Sequence, residues 1–390
     1  MNGFSGALYS PGIWRFVLLV TAASVFALAS QRALRASPAP GFAVPAVPAP
    51  VNIRPAGFRI QDVSHGDTPF THSAAAVEVP GRGLLAFWYG GTREGAADCA
   101  IYMARLDTVS GAWGAKRLVI DREALQAGLR RSIRKIGNAT VVRGGDGALH
   151  LFFVSVSVGG WSGSAINMLI SRDGGESWGA LRRLITSPFM NISTLVKGAP
   201  LLYPDGSIGL PVYHEFAGKF AELLRLSPEG QVLTKQRLSS GRYSLQPVLA
   251  PASRDAAVVF MRYAGAPPRR VLALRSGDGG RSWTKPEKVG LPNPDAAVAA
   301  MRLAGGGLLL AFNNSESGRH NLSLAHSHDD GRNWRVIHAV EDAGAESQAE
   351  FSYPWLLRTG DGDWHLLYTG GKRRIRHMHF NQAWLEQKLQ

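Results

Sequence analysis

Residues 171–178 read SRDGGESW, and the same spelling, Ser-x-Asp-x-Gly-x-x-Trp, returns as SGDGGRSW at 276–283 and as SHDDGRNW at 327–334. The second and third copies begin 51 residues apart, and the first and second are separated by about twice that distance. A degenerate copy, LSPEGQVL, fills the gap at residues 226–233, and a weaker one, LDTVSGAW, occupies residues 106–113. The spacing predicts a structural unit that repeats about every 50 residues.

Apolar, β-rich runs recur at the same interval upstream of these stretches. They are LLAFWYGG (84–91), HLFFVSVS (150–157), GLPVYHEF (209–216), AVVFMRYA (257–264), LLLAFNNS (308–315) and WHLLYTGG (364–371). Before each comes another short apolar strand and a turn rich in Gly, Pro or Asp. Each unit then contains four strands, with a tight turn after the first, a loop after the second and the repeated stretch between the third and fourth. Six such units predict an all-β fold. We expect a six-bladed β-propeller with four-stranded antiparallel blades over residues 56–390.

The repeated stretch, which we call the Asp box, has a structural interpretation. Asp173, Asp278 and Asp329 can accept hydrogen bonds from the backbone of their own turn, and the box glycine tolerates positive φ. The tryptophan can fill apolar space beside the blade. Because the boxes join the third and fourth strands, we expect them on the underside of the propeller, opposite any site.

The other face should collect the starts of first strands and the ends of second strands. Polar, aromatic and ionisable residues occupy these positions, as a ligand site requires. They are His72, Asn138, Lys197, Gln246 and Tyr353 at the starts, and Glu94, Asp98, Trp161, Tyr213, Glu215, Arg262, Asn314 and Arg319 at the ends. An insertion at 121–134 predicts a short helix that carries Arg130, Arg131 and Arg134 as a basic lid over this mouth.

The N-terminus predicts export. An apolar stretch at 16–30 follows Arg15 and closes with Ala27-Leu28-Ala29, so residues 1–30 are a signal peptide or an uncleaved signal anchor. Residues 31–55 are a Pro/Ala-rich linker, in which we expect residues 36–50 to form a stiff, extended tether rather than a folded part. These features suggest a periplasmic or extracellular protein that residues 14–30 could tether to the inner membrane.

Composition narrows the possible partners. The formal charge of +14 favours acidic sugars, anionic polymers or phospholipid headgroups as partners, and no motif typical of nucleic-acid binding is present. The single cysteine, Cys99, excludes an intrachain disulfide and argues against a cysteine-rich metal site. We expect a monomer without cofactor or metal.

The boxes and the six-unit frame resemble the sialidase (neuraminidase) superfamily of Asp-box proteins, over nearly all of residues 57–390. The resemblance implies three arginines that hold a sugar carboxylate, a tyrosine nucleophile with a glutamate base, and a loop acid/base. By position, Arg262 and Arg319 match the second and third arginines, and Tyr353 matches the nucleophile. Glu94 matches the acid/base, with Asp98 as the fallback.

Two positions depart from this pattern. His72 stands where the resemblance implies the first arginine, while Arg59-Ile60 imitates its motif about a dozen residues too early. Gln246 stands where it implies the glutamate, and glutamine cannot accept a proton; Glu350 or Glu215 could substitute.

Three functions therefore remain open at this point. The first is a sialidase-like glycoside hydrolase acting on an acidic sugar, with Asn138, Tyr213, Glu215 and Trp161 as further substrate contacts. The second is a uronate polysaccharide lyase with His72 and Tyr353 as its acid/base pair. The third is a non-catalytic glycan-binding propeller. His377 and His379 alternate on the last strand, where we expect a surface pair rather than metal ligands.

Overall fold

A computed structural model describes residues 11–35, 39–44, 54–64, 66, 68–187 and 191–390. In this part of the chain the strands form six antiparallel sheets, and the innermost strands of neighbouring sheets contact one another around a common axis. The predicted six-bladed β-propeller is confirmed. Each blade is four strands deep, and the innermost position of the third blade is filled by two short pieces.

The elements follow in chain order. They are α1 (Pro11–Arg35), β1 (Phe58–Asp62), β2 (Phe70–Val79), β3 (Gly83–Gly91), β4 (Ala100–Arg105), β5 (Arg117–Ile120), α2 (Arg122–Leu129), β6 (Lys135–Arg143), β7 (Leu149–Val156), β8 (Ser164–Ser171), β9 (Gly179–Arg183), β10 (Leu195–Val196), β11 (Leu201–Leu202), β12 (Ile208–His214), β13 (Phe220–Leu226), β14 (Val232–Arg237), β15 (Ser244–Pro251), β16 (Ala257–Tyr263), β17 (Arg270–Ser276), β18 (Glu287–Pro292), β19 (Ala299–Arg302), β20 (Leu308–Phe312), β21 (Asn321–Ser327), β22 (Arg335–Asp342), β23 (Phe351–Arg358), β24 (Trp364–Gly370), β25 (Arg374–Phe380) and α3 (Gln382–Leu389).

Burial changes from the inner strands of a blade to the outer one. All residues of β7 are buried, because the second blade lies between two neighbours and hydrophobic side chains fill both of its faces. The outermost strand β14 instead alternates half-buried and exposed residues, as a strand with one wet face does. The apolar core therefore lies between blades, which leaves the strand ends on the axis free to carry polar groups.

The Asp boxes join third and fourth strands, as predicted. Asp173 accepts hydrogen bonds from the Ser171 hydroxyl at 2.7 Å and from the Ser177 backbone N–H at 3.0 Å. Each box also packs against the preceding blade, since the rings of Trp178 and Phe87 lie 5.6 Å apart. A box thus fixes its own turn and joins two blades, which makes it a structural element on the underside.

The sixth blade is closed by the N-terminal end of the propeller. Strand β1 pairs antiparallel with β25, so that Arg59 faces His379 in register. The Arg59 guanidinium donates a hydrogen bond to the Gly111 carbonyl, between β4 and β5. The Arg59-Ile60 pair therefore imitates a site motif only in sequence, because it belongs to the outermost strand, far from the axis.

Residues 39–44 of the Pro/Ala-rich linker are extended but not free of the propeller. Phe42 is only 2% exposed, and its backbone N–H donates to the Arg254 carbonyl at 2.8 Å. Its ring lies against those of Tyr203 and Trp283. The expectation of a tether outside the folded part is therefore wrong for this segment.

Candidate functional site

A polar cavity opens at the axis on the face opposite the Asp boxes, with a volume of about 260 Å³. This is just below the usual range for ligand pockets, so the cavity is small. Its walls come from all six blades. They comprise His72, Tyr89, Glu94, Asn138, Val154, Trp161, Leu195, Tyr213, Glu215, Gln246, Arg262, Arg319, Tyr353 and Lys372.

Irregularities in the innermost strands aim side chains into this cavity. Strands β2, β6, β15 and β23 each carry a register shift near their cavity end. Within three of these shifts, Ser73, Gln246 and Tyr353 have positive φ angles of 61°, 53° and 56°. Such a backbone costs a non-glycine residue roughly 1–2 kcal/mol. Strain of this kind is typical of functional sites, where a bulge redirects a side chain.

Two arginines and a lysine supply positive charge. Arg262 is the second-to-last residue of β16 and binds the Asp295 carboxylate through Nε at 2.5 Å. Arg319, in the loop between β20 and β21, binds Glu350 at 3.0 Å, and Lys372 binds the other oxygen of Glu350 at 3.2 Å. The acids hold the cations in fixed orientations around the cavity, which is what recognition of an anionic group requires.

The charge states of Glu350 and Arg262 follow from these contacts. Burial alone favours neutral Glu350, but the charges of Arg319 and Lys372 hold the pKa of its carboxyl below the usual value. Burial likewise opposes the charge of Arg262, yet Tyr353 and the Asp295 carboxylate raise its pKa above the ordinary range. Glu350 and Arg262 are therefore both charged at neutral pH.

Tyr353 receives a hydrogen bond from a side-chain amide. Gln246 Nε2 donates to its hydroxyl oxygen at 3.0 Å and lies 3.5 Å from the Tyr213 hydroxyl. Gln246 Oε1 accepts from Arg262 at 3.4 Å, which fixes the amide with its nitrogen towards the tyrosines. Asn138 Nδ2 lies 3.3 Å from the Tyr213 hydroxyl. Within the described residues, no carboxylate is hydrogen-bonded to Tyr353.

His72 lies beside Tyr353, with ring centroids 4.2 Å apart. It is 3% exposed, and its Nδ1 has no hydrogen-bond partner in the described part of the chain. Burial lowers the pKa of this imidazole well below 6.5, and the charges of Lys372 and Arg319 lower it further. His72 is therefore a neutral base at the cavity wall, next to the phenol.

The acidic candidates separate into two groups. Glu94 is an exposed residue at the rim, and Glu215 is a half-buried wall residue whose pKa is raised by burial against the opposing charge of Arg262. Asp98 does not line the cavity. Its carboxylate accepts hydrogen bonds from the Thr92 backbone at 2.9 Å and the Thr92 hydroxyl at 3.0 Å, so it closes the loop that presents Glu94. This geometry favours Glu94 over the fallback.

Other residues predicted at the mouth are placed elsewhere. Asn314 is exposed outside the cavity wall. The helix α2 does form, but it packs against β9 at the outer side of the second blade. Arg130 is its left-handed C-cap residue, and none of residues 121–134 lines the cavity. The expectation of a basic lid over the site is therefore wrong.

Lys197 follows β10 and is buried directly beneath the cavity. Its Nζ donates to the Pro354 carbonyl at 2.8 Å and lies 5.8 Å from the ring centre of Tyr353. It is 1% exposed, and burial lowers its pKa to about 7. The sequence placed this residue at the mouth, whereas the structure makes it a support for the backbone next to Tyr353.

His377 and His379 do not form the expected surface pair. His377 is fully buried on the sixth blade, where Nε2 lies 2.9 Å from His365 Nδ1 and the Trp113 indole donates to Nδ1 at 3.1 Å. His379 instead contacts Asp363 at 2.6 Å. No group of residues that could hold a metal ion occurs in the described ranges.

The sequence rules missed Lys372 and Tyr89. In the first blade Glu94 lies three residues after the Gly-Gly that ends the second strand, and Lys372 directly follows the same Gly-Gly in the equivalent loop of the sixth blade. The same positional rule, applied to that blade, finds it. Tyr89 lies within an apolar strand and is buried with its pKa raised, so no pattern in the sequence separates it from the core.

Comparisons with known proteins agree with this architecture. A family model described as BNR repeat-like domain matches residues 82–366. A comparison with curated protein sequences finds no match.

Solved structures show the same fold at low identity. A protein of unknown function from Dyadobacter fermentans is 15% identical, with a TM-score of 0.67 over 83% of this chain and 99% of that one. The NanB sialidase from Streptococcus pneumoniae is 11% identical, with a TM-score of 0.63 over 83% of this chain and 70% of that one. An α-L-arabinanase from Penicillium chrysogenum is 14% identical, with a TM-score of 0.60 over 84% and 98%.

Proposed function

This chain belongs to the BNR repeat-like domain family, and on that premise we propose that it is a sialidase-like glycoside hydrolase that binds an acidic sugar. The observation that carries the proposal is the meeting of Arg262 and Arg319, from adjacent blades, with Tyr353 in one cavity. Two guanidinium groups fit a carboxylate, and the phenol is the nucleophile. Structural neighbours named as sialidases support the choice of an acidic sugar.

In the reaction, the substrate carboxylate lies against the two arginines and its anomeric carbon faces Tyr353. The phenolic oxygen gives its proton to His72 and forms a bond to that carbon while the bond to the leaving oxygen breaks, and Glu94 gives its proton to the leaving oxygen. Water then attacks the same carbon and returns a proton to Glu94, and Tyr353 leaves with the proton that His72 gives back. The free sugar and the shortened glycan are the products.

Gln246 places an amide beside Tyr353, where the sialidase pattern implies a glutamate base. A hydrogen bond donated by Gln246 Nε2 and the nearby charge of Arg262 both stabilise an anion on the Tyr353 oxygen. The imidazole of His72 is the adjacent base for the phenolic proton. Because burial and the charges of Lys372 and Arg319 lower its pKa, the transfer depends on the stabilised phenolate. Activation then rests on stabilising the phenolate, with no carboxylate base in contact.

A second function is favoured by the same pair of residues. In a uronate lyase, His72 takes the proton next to the carboxylate, the electron pair forms a carbon–carbon double bond, and the bond to the leaving oxygen breaks as Tyr353 protonates it. The unpartnered Nδ1 of His72 and the absence of a carboxylate on Tyr353 among the described residues support this alternative.

One paired assay separates these functions. The full chain in detergent is incubated with a fluorogenic sialoside and, separately, with uronate polysaccharides monitored by ultraviolet absorbance for unsaturated product. Release of sialic acid that is lost in Tyr353→Phe and kept in Tyr243→Phe, a change at an exposed tyrosine, supports the hydrolase. Unsaturated product alone supports the lyase. Glycan binding without turnover on either substrate supports the non-catalytic propeller.

We also propose that the protein is exported and acts as a monomer on glycans or exopolysaccharides outside the cytoplasm. The apolar α1 and the basic surface are the features that support this placement. Residues 1–30 then form the leader or anchor, and residues 56–390 the glycan-active domain.

A further inference from the structure

We infer that α1 anchors the protein in a lipid bilayer and that residues 39–44, the docked segment, hold the Asp-box face of the propeller towards that bilayer. The cavity then opens away from the membrane. This inference does not depend on which reaction the cavity carries out.

The first support is the surface of α1. It has 25 residues, about 38 Å at the usual rise per residue, and a typical hydrocarbon core is about 30 Å thick. Its 18-residue stretch 11–28 is long and apolar enough to cross a membrane, and none of it is buried. Trp14, Phe16, Leu19 and Phe26 are 57%, 68%, 69% and 75% exposed. Apolar surface on all sides of a helix needs lipid around it.

The second support is the site where the docked segment binds. Phe42 lies in a pocket formed by Tyr203, from the turn between β11 and β12, and Trp283, from the Asp box of the fourth blade. Its backbone binds Arg254, from the turn between β15 and β16. All three partners belong to turns at the ends of the blades opposite the cavity, so the docked segment lies on the underside.

Gly41 shows that the docking is a close fit. It has a φ of 85°, and a Cβ at this position would lie 2.6 Å from Arg254 Cγ and 2.9 Å from its carbonyl oxygen. The Arg254 guanidinium donates back to the Pro40 carbonyl at 3.3 Å. Only glycine allows the chain to approach Arg254 this closely.

The third support is the short connection. The helix ends at Arg35 and the described part of the docked segment starts at residue 39, so the chain between them spans at most about 14 Å. Farther along, Arg54 pairs with Asp363 in the turn between β23 and β24, again on the underside. The docked segment and Arg54 are therefore held on one face, and a membrane-inserted α1 keeps that face near the bilayer.

This orientation restricts the substrate. A cavity that faces away from its own membrane reaches soluble glycans or polymers of an opposing surface more readily than short glycolipid headgroups of the same membrane. The anchor and the docked segment thus favour long or detached acidic glycans as ligands.

Two exposed valines allow a direct test. Val109 lies between β4 and β5 on the underside and is 95% exposed, and Val158 lies between β7 and β8 on the cavity face and is 77% exposed. Each is changed to Cys in a Cys99→Ala background and labelled with a thiol-reactive fluorophore. The full chain is then reconstituted in phosphatidylcholine–phosphatidylglycerol vesicles that carry headgroup-linked quencher in both leaflets.

We expect the protein to float with the vesicles and the label at residue 109 to be quenched at least twofold more than that at 158. In Phe42→Ala, the two labels should approach equal quenching while the protein still floats. If that variant does not fold, an insertion of about 20 Gly/Ser residues after Arg35 should have the same effect with the docked segment intact. Equal or reversed quenching in the parent chain, or failure to float, overturns the inference.

Discussion

Gln246 on the fourth blade donates a 3.0 Å hydrogen bond across the axis to the Tyr353 hydroxyl on the sixth. Both residues have positive φ, so two strained positions meet through one contact. Because the Gln246 amide also accepts a hydrogen bond from Arg262, it joins the arginine side of the cavity to the Tyr353 phenol. A negatively charged ligand group bound at Arg262 can thereby change the hydrogen bond that Gln246 donates to Tyr353.

The first prediction concerns that contact. Gln246→Met keeps the side-chain volume but removes the donor, so the phenolate loses its stabilising hydrogen bond. We expect kcat to fall by about 10²-fold on the substrate that the paired assay identifies, with KM nearly unchanged. Gln231→Met, a change at an exposed underside residue, is the control. An unchanged kcat in Gln246→Met would remove Gln246 from the mechanism.

Lys372 should act mainly in binding. Because Lys372 lines the cavity and shares Glu350 with Arg319, we expect it to give the substrate carboxylate a third cationic contact. Lys372→Met should then raise KM roughly 10- to 100-fold. Lys372→Arg should recover most of the affinity. Steady-state kinetics measure both, with Lys285→Met on the underside as the control. A loss confined to kcat contradicts a role in binding.

Glu94 and Asp98 provide a matched pair of acids on one loop. Glu94→Gln should lower kcat by about 10²- to 10⁴-fold because the leaving oxygen loses its proton donor. Asp98→Asn should retain most of the activity and loosen the loop, since Asp98 binds Thr92 instead of lining the cavity. The comparison is made from pH–rate profiles, and the reverse ranking would assign the acid/base to Asp98.

Buried Lys197 should make stability depend on pH. Its pKa is about 7 in the folded protein and near 10.5 when unfolded, so the unfolded chain binds more protons between these values. The contribution of uncharged Lys197 to the free energy of unfolding is present in full above pH 10.5. It is lost as the pH falls towards 7, at up to about 1.4 kcal/mol per pH unit. Denaturant unfolding at pH 7 to 10 should show this slope in the parent and not in Lys197→Met.

The buried histidines of the sixth blade, His365 and His377, should make the stability depend on pH in a lower range. Burial lowers the pKa of His365 to about 3, from 6.5 in the unfolded chain. The contribution of neutral His365 to the free energy of unfolding is therefore present in full above pH 6.5 and declines as the pH falls towards 3. Thermal unfolding at pH 7, 6, 5 and 4 should show a decline that is smaller in His365→Gln than in the exposed control His328→Gln. Identical declines in both variants would exclude His365 as the cause.

The sequence predicted what depends on local pattern. The Asp boxes and paired apolar runs define the blades, and antiparallel geometry then places His72, Gln246, Arg262 and Tyr353 at one mouth. Ten of the eleven residues proposed for the site line the cavity, because strand ends in a closed ring have only one axis to point towards.

What the sequence did not predict depends on contacts distant in the chain. The burial of Lys197 under Tyr353 and of His377 against Trp113 requires packing between blades. The docking of Phe42 onto Trp283 joins a linker to a box more than half the chain away. The predicted basic lid does not form for a similar reason: Leu125 is buried and turns α2 towards the core instead of the cavity.

The pairing of β1 with β25 has a consequence for biogenesis. Gln61 and His377 lie 316 positions apart along the chain, yet they are neighbours in the same sheet. Strand β1 must remain unpaired until β25 has been synthesised, and so distant a closure is slow. Pairing of β1 with β25 thus distinguishes complete chains from truncated ones. A prematurely terminated polypeptide keeps an unpaired strand edge that chaperones and proteases can recognise.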